Sequence, residues 1–180
     1  MVIQYIFIFL LQTFFAPPIV QGPMLGDLTD TAVRMWVRSS EPQKVSVTIQ
    51  DTHLLFDAST TLDSDLNTML QLSGLNPNTT YNYAINGEHR ESWWFKTRPT
   101  LDTSARIAFG SCANEKEGSS KVWNQMNEEK IDALVLLGDT PYIDTTDLAI
   151  QRKRYQEFSA VPAFANLVAH TPVYATWDDH

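Results

Sequence analysis

The sequence is short of cysteine, of basic residues and of long apolar runs. Cys112 is its one cysteine in 180 residues, so no disulfide can form within the chain and the fold must hold by packing. Lysine and arginine number 13 against 21 acidic residues, a formal net charge of -8. The one basic cluster is Arg152-Lys153-Arg154. Binding to a phosphate backbone needs a concentrated positive face, so no nucleic-acid-binding surface is expected. No apolar stretch reaches the ~20 residues that a membrane-crossing helix requires, so no stable membrane span is expected. What the chain does have is a hydrophobic fraction of 43%, enough for packed cores rather than disorder.

The amino-terminal segment stands apart from the rest. Tyr5 to Leu11 is unbroken apolar sequence, followed by Phe14, Phe15 and Ala16, then by the helix-breaking Pro17-Pro18. That length fits the apolar region of a secretory signal, and Val20 with Gly22 offers small residues before Pro23. Residues 1–22 are therefore expected to be a signal peptide, and the protein to be exported, although the first basic residue is as late as Arg34.

From Thr31 the pattern has period two. Val33, Met35 and Val37 alternate with Arg34, Trp36 and Arg38; after Glu41-Pro42, Val45, Val47 and Ile49 repeat the alternation. This is the signature of half-buried strands. Leu54 to Leu72 is less regular and is expected to hold one or two more. Leu75, Pro77, Thr79 and Tyr81 then mark a proline turn feeding a strand whose first tyrosine bonds back to the corner. Asn86-Gly87 signals a turn, and Glu91 to Thr97 a closing strand. Residues 23–98 thus predict a β-sandwich, and the Leu-Pro-Thr-Tyr spacing resembles the fibronectin type III signature.

After the linker Arg98-Pro99-Thr100 the grammar changes. Arg106 to Phe109 predicts a short buried strand. A helix follows, with Ser119 or Ser120 as N-cap and Val122, Trp123 and Met126 on one face. Ala133 to Leu137 reads as a strand buried on both faces. Thr146-Asp147 opens a helix carrying Leu148, Tyr155 and Phe158, Pro162 starts a shorter one bearing Phe164, Leu167 and Val168, and Val173 to Trp177 forms a third strand. Alternating strands and helices over residues 99–180 imply an α/β unit with a largely parallel sheet.

Ligands of such sheets bind at the carboxyl ends of the strands. Each of the three strands ends in candidate metal ligands: Cys112, Asp139 and the run Asp178-Asp179-His180. Neighbouring strands lie ~4.8 Å apart, so these groups can converge on two cations held roughly 3.5–4 Å apart. Each feature alone has a plainer meaning, as a buried thiol, a turn or a polar loop. Their recurrence at three successive strand ends favours a metal site.

Phe109-Gly-Ser-Cys112, Leu137-Gly-Asp139-Thr-Pro-Tyr142 and Trp177-Asp-Asp-His180 resemble successive blocks of the alkaline phosphatase D (PhoD-like) metallophosphatases. Gly22-Pro-Met-Leu-Gly-Asp27 through Met35-Trp36-Val37-Arg38 resembles the domain that precedes them in that family. The resemblance implies an all-β sandwich followed by a calcineurin-like α/β domain that hydrolyses phosphoesters at a binuclear centre, with Fe3+ and Ca2+ as the implied ions. Cys112 would bind iron, Asp139 would bridge the metals, and Tyr142 is the nearest phenol to the family's iron-binding tyrosinate. Members can carry a further tyrosine where this chain has Asp144, which leaves Asp144 open as an oxygen ligand. Asp179 falls where the superfamily places a metal-binding amide, with Asp178 the alternative, and His180 matches the histidine that protonates the leaving oxygen or steadies the phosphate. A small-molecule or lipid phosphoester is the implied substrate. Histidine ligands of the kind found downstream in such enzymes are missing, so the chain is expected to be an inactive first part of the catalytic unit. A non-catalytic exported binding or adhesion protein, with a degenerate hydrolase domain, is the alternative.

Overall fold

The computed structural model describes residues 18–101 and 104–176. Residues 1–17 of the expected signal peptide (residues 1–22) and the final Trp177-Asp178-Asp179-His180 lie outside the described residues.

Seven strands make the first domain: β1 (Ile19–Gly26), β2 (Ala32–Ser39), β3 (Gln43–Ile49), β4 (Leu55–Thr60), β5 (Asn67–Ser73), β6 (Thr80–Ile85) and β7 (Glu88–Lys96). They form two antiparallel sheets, ordered β1-β2-β5 and β4-β3-β6-β7. The alternation read from the sequence is the reason. Val33, Met35 and Val37 of one sheet and Val45, Val47 and Ile49 of the other are buried, and share one core with Leu72, Tyr83 and Phe95. The corner closes as expected, with the Asn76 amide donating to the Tyr81 hydroxyl at 2.8 Å. The irregular stretch after Leu54 supplies β4 and β5.

Strand β1 is bulged. Its register with β2 shifts between Ile19 and Gln21 and again between Gln21 and Met24. Gly22 makes this possible: its φ is +85°, and a Cβ there would lie 2.6 Å from the Trp36 carbonyl oxygen. The bulge turns buried Gln21 toward the second domain, where its amide donates to the Ser159 hydroxyl at 3.1 Å.

The second domain contains β8 (Ile107–Gly110), α1 (Glu117–Glu128), β9 (Ala133–Leu136), α2 (Leu148–Ser159), α3 (Pro162–Val168) and β10 (Val173–Ala175). The three strands form a parallel sheet ordered β10-β9-β8. Leu134 and Leu136 of β9 pack with Trp123, Phe158, Phe164 and Leu167 of the helices in a second core. The N-caps sort by chemistry. Asp147 caps α2 by accepting from the Ala149 and Ile150 amides, and Pro162 at the first turn of α3 has no N–H that would need an acceptor.

Four local expectations are corrected. Helix α1 is capped by Lys116, without a side-chain bond. Ser119 lies inside the helix, and its hydroxyl accepts from the Asn114 amide at 3.3 Å. Val122 is exposed, because the helix turns Trp123 rather than its neighbour onto Phe158 and Phe164. Strand β8 is not buried: Ile107 and Phe109 are 57% and 70% exposed. Among the described residues β8 pairs only with β9, so one edge and the face bearing these two side chains remain uncovered. Leu148 of α2 is also exposed, which leaves Phe158 as the buried anchor of that helix.

The domains meet through specific contacts. The Tyr83 hydroxyl donates to the Ala169 carbonyl at 2.7 Å in a buried position. Trp94 stacks on His170, with ring centroids 4.7 Å apart. An apolar cleft of about 860 Å³ lies between them, with Trp36 and Met69 on one wall, Tyr155 and Phe158 on the other, and Thr140 at its border.

Candidate metal centre

Parallel pairing brings the ends of β8 and β9 level, since Gly110 lies beside Leu136. The chain continues this register beyond the strands: the Leu137 amide donates to the Gly110 carbonyl at 2.8 Å, and the Cys112 amide to the Gly138 carbonyl at 3.3 Å. Cys112 and Asp139 are thereby held on adjacent loops. The Cys112 thiol points at the Asp139 carboxylate, with Sγ to Oδ2 at 3.6 Å.

Both residues occupy left-handed backbone, with φ of +60° at Cys112 and +50° at Asp139, and Gly138 between the strand and Asp139 has φ of +113°. Such conformations cost a residue with a side chain roughly 1 kcal/mol or more. Here the sharp reversal after each strand aims the two side chains at a common point above the sheet.

Tyr142 completes the cluster. Its phenol is held well above its usual value, first by the hydrogen bond with Cys112, then by burial and by the hydrogen bond and negative charge of Asp139. Thiol, carboxylate and phenol therefore share one small volume in which a second negative charge is unwelcome. A cation there would invert that balance and favour the ionised form of all three donors. The other carboxylate oxygen, Asp139 Oδ1, is buried without a hydrogen-bond partner. An orphaned anionic oxygen beside a thiol and a phenol is the donor chemistry of a metal site. Among the described residues no three His, Cys, Asp or Glu side chains are close enough to hold an ion by themselves. The cluster instead contributes two of that kind plus a tyrosine.

Comparison with known proteins bears on both domains. Residues 107–180 match the PhoD-like phosphatase family, and residues 16–105 match a domain of unknown function (DUF7800). The second domain belongs to the PhoD-like phosphatase family. A solved structure of PhoD superposes with a TM-score of 0.72 at 20% identity, covering 93% of this chain and 40% of that one. Purple acid phosphatase PPD1 from yellow lupin (Lupinus luteus) seeds gives 0.60 at 15% identity, over 87% of this chain and 34% of that one. The chain thus spans well under half the length of the structures it resembles. No protein of curated function matches its sequence.

Of the site residues read from the sequence, the structure brings Cys112, Asp139 and Tyr142 together. Asp144 sits two residues beyond Tyr142, exposed and in left-handed backbone. Asp178, Asp179 and His180 lie outside the described residues. The PhoD-like domain also contains a pair that sequence reading missed. Arg154 of α2 binds Glu115 at 2.7 Å and reaches the Tyr142 carbonyl at 3.4 Å from Nε. Only the basic run at 152–154 hinted at it, and in the sequence that run stands out merely as the one basic cluster.

Proposed function

We propose that the complete protein hydrolyses phosphoesters, monoesters or diesters, at a two-metal centre to which Cys112, Asp139 and Tyr142 contribute. The convergence of thiol and carboxylate at 3.6 Å beside that phenol carries this reading, together with family membership. The donor set suits a ferric ion at Cys112 and Tyr142 and a harder cation such as calcium on carboxylate oxygens, including Asp179. When bound, the ions neutralise charge that develops on the phosphoryl oxygens.

The chain's own residues divide the remaining work. Asp139 presents one oxygen toward Cys112 and leaves the other unpartnered, so its carboxylate would help to hold the ions when they are bound. Its backbone and that of Cys112 are tied by the 3.3 Å bond between the Cys112 amide and the Gly138 carbonyl, so the donors are positioned before anything binds. His180, as general acid, gives its proton to the departing alkoxide oxygen, a task for which an imidazole is suited near neutral pH. The apolar cleft bordered by Thr140, next to Asp139, receives the organic part of the ester. Export delivers the protein to phosphoesters outside the cytoplasm.

Metal analysis and turnover of an aryl phosphate by the complete protein test the reading. Asp139→Asn lowers metal content and turnover together. Cys112→Ser lowers iron selectively, since a hydroxyl is a far weaker donor than a thiolate. His180→Ala keeps most of the metal and loses ~10²–10⁴-fold in rate. Unchanged metal content in Asp139→Asn, or full activity in the 180-residue chain, overturns it.

A further inference from the structure

The two arginines of the basic run leave α2 in different directions. At 3.6 residues per turn, Arg152 and Arg154 are about 200° apart around the helix, on opposite sides. Arg152 faces the sandwich: its Nε lies 2.8 Å from the Asp65 carboxylate, which is also bound by Arg38 of β2 at 2.8 Å. Ser159, two turns further along the same side, accepts from Gln21 of β1 at 3.1 Å. One side of α2 is therefore fastened to the first domain at two points.

Arg154 faces the strand-end loops. Its guanidinium binds Glu115, three residues after Cys112, at 2.7 Å. It also spans to the carbonyl of Tyr142, at 3.4 Å from Nε and 3.5 Å from Nη2. Glu157 at 2.7 Å holds the guanidinium from the helix itself. One side chain thus grips the loop after β8 and the loop after β9 together. Arg154 and Glu115 are each about 70% covered, with exposures of 30% and 26%, so this contact is less open to screening than an ordinary surface pair.

We infer that α2 is a brace through which the sandwich, the domain matched only as one of unknown function, positions the loops that carry Cys112 and Tyr142. Asp65 is its anchor and Arg154 its working end, and both are positioning residues. The planar fork of arginine suits the role, since it meets a carboxylate and a carbonyl at once while lysine offers a point charge. The link to catalysis rests on the phosphoesterase reading; the brace itself does not.

Hydrogen-exchange mass spectrometry of the 180-residue chain tests the brace without metal or turnover. Arg154→Ala is expected to raise exchange several-fold in residues 111–116 and 139–147 and to leave β2–β7 unchanged. Arg154→Lys restores protection to residues 111–116 through Glu115. Asp65→Ala raises exchange in α2 and, more weakly, in both loops. Arg38→Ala leaves the Asp65–Arg152 contact in place and changes only the turn around Asp65. The inference is overturned if Asp65→Ala leaves both loops at the parent rate, if Arg38→Ala loosens them equally, or if lysine restores neither loop. In the complete protein, Asp65→Ala is expected to lower kcat several-fold on an aryl phosphate with KM and melting temperature little changed. A fall in melting temperature matching the loss of kcat overturns the positioning role. Failure of the phosphoesterase reading shows separately, in the metal content of Asp139→Asn.

Discussion

The hydroxyl of Tyr83 and the carbonyl of Ala169 meet at 2.7 Å in the interior, where the core of the sandwich touches the end of α3. Burial alone pushes the Tyr83 phenol well above its usual value, so it acts as a neutral donor throughout the ordinary pH range. Ala169 is buried among the sandwich residues, although it belongs to the second domain.

Tyr83→Phe therefore leaves a buried carbonyl without its donor while preserving the ring packing against Trp93 and Phe95. The expected cost is ~1–3 kcal/mol, read as a lower urea midpoint. A midpoint equal to that of the parent would show that the domains do not rely on this bond.

His170 gives the same junction a pH dependence. Burial lowers its pKa from 6.5, against hydrogen bonds to the backbone of Ser92 and Asn166 that raise it. The unfolded chain then takes up the proton first as pH falls. The stabilisation from neutral His170 is thus complete above its ordinary value and is lost progressively as pH falls below it, through the lowered folded value. Melting temperature is expected to drop more steeply in the parent than in His170→Gln between about pH 7 and pH 5. Parallel curves would overturn this assignment.

Strand β1 bears on where export would trim the chain. Ile19 pairs with Ser39 and Gln21 with Arg38, so removal of residues 1–22 would delete the first half of the strand and the Gln21–Ser159 link. N-terminal sequencing of exported protein is expected to find a start at or before Ile19. A start at Pro23 would mean that this half-strand is dispensable.

The same observation sets the extent of the autonomous first domain. Residues 18–98, expressed alone, are expected to unfold cooperatively with a β-type circular dichroism spectrum. Residues 23–98 should melt at lower temperature, having lost the β1 pairs before Gly22. Equal melting would contradict a structural role for that segment.

The features legible in the sequence are those fixed by neighbours along the chain. The alternation of Val33, Met35 and Val37 dictates a buried face wherever the strand lies. The Tyr81 corner closes over five residues, and the Asp147 cap over three. That Cys112 and Asp139 lie side by side was also legible, because parallel neighbours bring their carboxyl ends level and the chain places one of the two after each; Tyr142 beside them was named only through the family resemblance. The Glu115–Arg154 contact joins residues far apart in sequence that only the packing of α2 unites. The exposure of Phe109 was equally hidden, since an apolar strand does not reveal which neighbours cover it. Ser119 misled because an N-cap residue type also serves within a first turn.

The left-handed backbone at Cys112 and Asp139 sets folding and chemistry at odds. Glycine adopts that conformation without the steric cost of a side chain, so a screen for thermal stability alone would tend to enrich glycine at these two positions. A variant library sorted once for melting temperature and once for turnover should diverge there more sharply than at Val33 or Phe164, where both selections demand the same packed side chain. Disagreement between two rankings would then mark the residues kept for their reactivity, with no ligand in hand.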